Sequence, residues 1–187
     1  MSSAVIYTDL DGTLLDHHTY AFTEAQPTLT ALLERGIPII PCTSKTRAET
    51  LNLMQTMGID GPMIVENGAA IWVPLDWGLE RPEGSDSDAH AWCHSFGLSR
   101  GMIRRQLAIL NIEWGNRYQS LCELSDKQVA AVTGLDLESA ARAKQRQHSE
   151  TLVWLGTPAD RKAFAAQVEA LFAGFGFGFY TARDPLV

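Results

Sequence analysis

Asp9-Leu10-Asp11-Gly12-Thr13 sets two carboxylates two residues apart, directly after the short apolar run Ala4-Val5-Ile6-Tyr7-Thr8. Side chains two apart on a strand face the same way. A strand that ends here lets the second carboxylate swing into the loop. Two further polar groups follow apolar runs in the same manner. Thr43, Ser44 and Lys45 follow residues 37–42, and Glu66, Asn67 and Gly68 follow Met63-Ile64-Val65. Carboxylates suit a hard divalent cation, while hydroxyls, an ammonium and helix N-terminal amides suit phosphate oxygens. Asp and Gly are also ordinary turn residues, so a lone D-x-D-G reads equally well as a turn. The repetition at three run ends favours chemistry.

A scaffold must bring these groups together. The N-terminal run, short and nearly continuous, reads as a strand buried on both faces, as in parallel sheets. Leu29, Leu32 and Leu33 form one stripe of a helix over about residues 24–35, stopped by Gly36. Residues 37–42 form a second strand whose two prolines suit a sheet margin. A helix over 47–57, closed by Gly58, leads to a third strand at 63–65. The order β-α-β-α-β predicts right-handed crossovers and a parallel sheet, with ligands outside the carboxyl ends of its strands. Residues 69–73 and 75–79 read as a hairpin, and the polar stretch 80–88 as a linker. Beyond it the pattern predicts helices at 100–110, 125–132, 137–147 and 158–172, a strand at 151–155 and a last strand at 175–180. The division is thus a core at 1–82 and a second α/β domain at 83–187.

Composition narrows the function. The 187 residues are 45% hydrophobic and 20% charged, with a net charge of -7. A nonspecific grip on nucleic acid or on an acidic membrane is therefore not expected. No apolar run approaches the ~20 residues of a membrane span. The N-terminus reaches Asp9 too soon for a secretory signal. Three cysteines, Cys42, Cys93 and Cys122, show no disulfide framework. The expected setting is the cytoplasm.

The string DLDGT after an apolar strand resembles the first motif of the haloacid dehalogenase-type phosphohydrolases, and Thr43 matches the second. The fuller strings TSKTRAE (residues 43–49) and ENGA (66–69) are similar to those of mannosyl-3-phosphoglycerate phosphatases. Residues 142–154, with Arg142, Arg146, His148-Ser149-Glu150 and TLVW, resemble that family's cap. The resemblance implies a Rossmann-like parallel core with an inserted α/β cap, and Mg²⁺-dependent hydrolysis of mannosyl-3-phosphoglycerate to mannosylglycerate. Asp9 would be the nucleophile and Asp11 the general acid and base, both near the metal. Thr43 and Lys45 would act on the phosphoryl group. Gly12, Ser44, Glu66, Asn67 and Gly68 would line the substrate, and Arg146, Ser149 and Glu150 would contact its sugar-acid part. Family members also carry, after the cap, a lysine and a G-D-x-x-N-D string, which no part of these 187 residues shows. The implied core is therefore incomplete, with its first strand a bare apolar edge open to self-association. Another sugar or sugar-acid phosphatase, or a non-catalytic module that binds a phosphorylated sugar or a partner chain, are the alternatives.

Two other patterns are weaker. His90, Cys93 and His94 would share a helix face at zinc-ligand spacing, but with no fourth ligand an incidental cluster is expected. Residues 174–179 alternate Gly and Phe after a helix, which suits a strand and not a dinucleotide loop.

Overall fold

The computed structural model describes residues 4–16 and 19–171, so the strand expected at 175–180 lies outside the described residues. The chain divides into two compact units, Met1–Phe96 and Gly97–Val187.

The first unit opens with β1 (Ile6–Thr8), α1 (Gln26–Glu34), β2 (Ile39–Pro41), α2 (Arg47–Met57) and β3 (Met63–Val65). β1 and β2 are parallel, with Ile6 opposite Ile39 and Thr8 opposite Pro41. A parallel bridge from Cys42 to Ile64 sets β3 beside β2. The three strands thus run the same way and end at the same side. β1 is only half-buried, since Val5 is 48% and Tyr7 63% exposed. The expectation of burial on both faces fails, since the described residues leave the face that bears Tyr7 exposed.

β3 is also the first strand of an antiparallel sheet. It pairs with β4 (Ala70–Pro74), and β6 (Ala91–Ser95) lies between β4 and β5 (Asp86–Ser87). The expected hairpin of 69–73 with 75–79 does not form, because β4 takes β3 and β6 as its neighbours. The stretch read as a linker contributes β5. Its ladder holds the chain in the first unit as far as Phe96. Leu10, Leu29, Ile39, Met54, Val65 and Trp72 are buried in the shared core.

α2 has strong local stop signals. Thr46 Oγ1 accepts from the Glu49 amide, the Thr46 amide donates to Glu49 Oε2 at 2.8 Å, and Gly58 closes the helix at φ +70°. Thr46 is fully buried and Glu49 nearly so. Loss of a side-chain cap costs about 1–2 kcal/mol. Thr46→Ala is therefore expected to lower the stability of this unit by about that amount in a urea titration. No measurable change would remove the cap from the account.

The second unit holds α3 (Arg100–Trp114), β7 (Tyr118–Ser120), α4 (Asp126–Thr133), α5 (Leu137–Ala143), β8 (Leu152–Trp154) and α6 (Pro158–Leu171). α3 runs past the expected stop at 110 because Leu107, Leu110 and Trp114 keep one buried stripe going. α5 ends earlier than expected, at Ala143. β7 and β8 pair antiparallel. Phe164 packs between Trp114, Tyr118 and Trp154 at ring separations of 5.7, 5.0 and 5.2 Å. A smaller core of Leu121, Leu124, Val129 and Ala140 lies beneath α4 and α5.

Candidate active site

The first carboxylates sit on a loop clamped by two leucines. Leu10 and Leu15 are buried at 0% and 1% exposure, and the Leu15 amide donates to the Leu10 carbonyl at 2.8 Å. The Gly12 amide donates to the Leu15 carbonyl at 2.9 Å, with Gly12 at φ +74°. A side chain is strained at that angle, which is the reason for glycine. Between the clamps, Asp9 stays exposed and Asp11 half-buried. Asp9 Oδ1 accepts from the Leu10 amide at 2.8 Å, which fixes the carboxylate against its own loop.

Backbone hydrogen bonds tie the other strand ends to this loop. The Cys42 amide donates to the Thr8 carbonyl at 2.8 Å, one residue before Asp9. Burial, and then the Asp9 charge, push the Cys42 thiol above its ordinary pKa, which places that charge within electrostatic reach of the second strand end. Thr43 is 4% exposed, and its Oγ1 accepts from the Lys45 amide at 3.2 Å. Lys45 Nζ lies 2.8 Å from Asp11 Oδ1 and 5.2 Å from the centre of the Tyr20 ring. The Asn67 amide donates to the Thr43 carbonyl at 3.0 Å, and the Glu66 amide to the Lys45 carbonyl at 2.9 Å. Asp11, Thr43, Lys45, Glu66 and Asn67 therefore meet at one side of the strands, and Asp9, Gly12, Ser44 and Gly68 lie on the same connected loops.

Glu66, Asn67 and Gly68 all adopt positive φ, at +52°, +64° and +83°. Such a turn costs free energy at Glu66 and Asn67 and persists only where its surroundings hold it. Here the two bonds to the Thr43 and Lys45 carbonyls hold it, with Glu66 2% exposed. Sequence reading did not find this strain, nor the role of Arg47. The Arg47 guanidinium stacks 3.6 Å above the Trp72 ring and pairs with Asp88 at 2.6 Å. It thereby ties the start of α2 to the antiparallel sheet. Amides of His90 and Ala91 together with Arg47 hold the Asp88 carboxyl well below the usual carboxylate range. Asp88 lies in the stretch read as a linker, so its sequence carries no signal of that pairing.

In the second unit, Arg146 Nη1 donates to Ser149 Oγ at 2.7 Å. Glu150 is 1% exposed at its side chain and accepts from Arg100 Nε at 2.9 Å and from Ser120 Oγ at 2.5 Å. Arg146 and Ser149 are together, while Glu150 is occupied inside its own unit. The His90, Cys93 and His94 pattern does not share a helix face, because Cys93 and His94 lie on β6, where neighbours point to opposite faces. Burial pushes the Cys93 thiol up to about 11. No group of three or more His, Cys, Asp or Glu side chains gathers for a metal among the described residues. The exposed Asp9 carboxylate suits a cation such as Mg²⁺, which keeps several waters and needs only one or two protein carboxylates, whereas the Asp11 carboxylate is engaged by Lys45.

The parallel strands, with an acidic loop and a hydroxyl–lysine loop at their carboxyl ends, belong to a fold also seen in haloacid dehalogenase-like structures. Residues 6–80 match the family of haloacid dehalogenase-like hydrolases. Over 97% of its length the chain is similar in fold to TM0651 from Thermotoga maritima, at 16% identity and TM-score 0.60. It is similarly related to BT1666 from Bacteroides thetaiotaomicron, studied among phosphatases of the haloalkanoate superfamily, at 17% identity, TM-score 0.59 and 96% of this chain. A stretch covering 38% of the chain is 26% identical to the subclass IIB sugar phosphatase BT4131, with TM-score 0.34, too partial a likeness for any argument from shape. The chain spans 66%, 64% and 28% of the lengths of these three proteins.

Proposed function

We propose that this chain carries the nucleophile and phosphate-holding loops of a Mg²⁺-dependent phosphomonoester hydrolase that acts on mannosyl-3-phosphoglycerate in the cytoplasm. The observation that carries the reading is the convergence of Asp11, Lys45, Thr43 and the Glu66–Asn67 turn beside the solvent-exposed Asp9. An Asp9 carboxylate oxygen attacks phosphorus, the ester P–O bond breaks, and Asp11 gives its proton to the leaving oxygen. Asp11 then takes a proton from water, whose oxygen attacks the aspartyl-phosphate and frees inorganic phosphate with the Asp9 carboxylate restored. The Thr43 hydroxyl and Lys45 ammonium, with the amides of Ser44 and Gly68, would hold the phosphoryl oxygens. Gly12 lets the backbone approach them. Mg²⁺ held by the Asp9 carboxylate, the Asp11 backbone carbonyl and water would offset repulsion between carboxylate and phosphate.

The sugar-acid substrate is supported by the strings TSKTRAE and ENGA and by the Arg146–Ser149 pair, whose guanidinium suits a carboxylate. The test is phosphate release from an aryl phosphate and from mannosyl-3-phosphoglycerate with Mg²⁺. Release from the aryl phosphate alone leaves another sugar or sugar-acid phosphatase. A second reading rests on β1, which pairs with β2 alone among the described residues and exposes Tyr7, with Val5 exposed just before it. A strand with an open apolar edge pairs with a further chain, so the same molecule would serve as a non-catalytic binding module. Sedimentation shows this directly, since Tyr7→Lys would abolish self-association. A wild-type chain that sediments as a monomer and turns over substrate removes the module.

A further inference from the structure

Arg100 stands at the first position of α3, far in sequence from the loop that joins α5 to β8. Its guanidinium nevertheless grips that loop at two points. Nη1 donates to the Arg146 carbonyl at 3.0 Å and Nε to Glu150 Oε2 at 2.9 Å. The other Glu150 oxygen accepts from Ser120 Oγ on β7, and that hydroxyl also accepts from the Cys122 amide at 3.3 Å. The near end of the loop is pinned separately. Cys122 Sγ donates to the Lys144 carbonyl at 3.2 Å, and Lys144 Nζ pairs with Asp126 at 2.8 Å. Between these anchors stand Arg146 and Ser149, joined to each other at 2.7 Å and half-buried.

A planar guanidinium fork recognises a carboxylate only when it is held in orientation. We infer that Arg100 is a positioning residue that holds the Arg146–Ser149 pair as a receptor for the carboxylate of a small sugar acid. Glu150 is its internal counter-charge and does not contact substrate hydroxyls. A carboxylate with 1% exposure and both oxygens engaged has no room for a sugar. The inference rests on the proposed substrate only for the choice of ligand, and its test needs no turnover.

D-Glycerate is titrated into the full chain by calorimetry, and amide exchange is followed across residues 144–151. The wild type is expected to bind and Arg146→Gln to lose binding. Arg100→Gln is expected to weaken binding by roughly tenfold to hundredfold, the scale of a mispositioned recognition group. It speeds exchange in the loop by a larger factor than in α4 and α6. Arg100→Lys, which keeps the charge toward Glu150, is expected to recover part of the affinity. Ser120→Ala, a milder change to the same anchor, is expected to weaken binding in the same direction. Undiminished binding in Arg100→Gln or in Arg146→Gln overturns the inference, as does a wild type that binds no glycerate. Exchange that rises equally throughout the second unit assigns Arg100 to general stability and also overturns it. The phosphatase reading stands or falls separately, on aryl phosphate release.

Discussion

Asp9→Asn stops phosphate release from an aryl phosphate, with a fall in initial rate of roughly 10³-fold or more, as for loss of a covalent nucleophile elsewhere. The amide has nearly the volume of the carboxylate, and its oxygen still accepts from the Leu10 amide. The loop clamp at Leu10 and Leu15 is untouched. What disappears is the anionic oxygen proposed as the nucleophile and the charge that would help hold Mg²⁺. The result is read as inorganic phosphate over time, beside thermal melting of both proteins to show that the fold is intact. Turnover equal to wild type in the Asn variant would sink the covalent mechanism. Wild-type turnover that survives chelation would leave Asp9 its role and remove the metal.

Glu150→Ala lowers the stability of the second unit by about 3–5 kcal/mol, the cost of leaving one partner of a buried ion pair uncompensated. The magnitude follows from the asymmetry of the pair. Glu150 is 1% and Arg100 23% exposed at the side chain, so Arg100 recovers some hydration when its partner goes and the lower end of the range is expected. Ser120 also loses its acceptor. Urea unfolding measures the effect. Glu150→Gln is expected to cost less, because its amide oxygen still accepts from one of the two partners. A stability change below about 1 kcal/mol in the Ala variant would place the pair with exposed salt bridges, which contribute little.

Some of the fold was legible because its signals are local. α2 ends where Gly58 says it should, while its start is set by the Thr46–Glu49 capping box and not by the more distant Thr43-Ser44. β3 was legible as an apolar run between turn residues. β4, β5 and β6 were not, because a strand's partner is a long-range choice. Residues 75–79 are apolar enough to pair, yet Ala70–Pro74 instead lies between β3 and β6. The helical spacing of His90, Cys93 and His94 misled for the same reason, since period alone does not say which ladder a segment joins.

For the candidate site, the sequence alone determined the inventory. The carboxylates of Asp9 and Asp11, the Thr43-Ser44-Lys45 run and the Glu66-Asn67-Gly68 turn are readable as residue types at run ends, and the Arg146-Ser149-Glu150 segment through its resemblance to the family's cap. Only the tertiary structure decided how each is used. It sets Lys45 against Asp11 at 2.8 Å, holds the Glu66–Asn67 turn at positive φ through the Thr43 and Lys45 carbonyls, and turns Glu150 inward to Arg100. The physical reason is range. Backbone propensity and capping act over a few residues, whereas ion pairing and burial depend on which distant segments the packed core brings within a few ångströms.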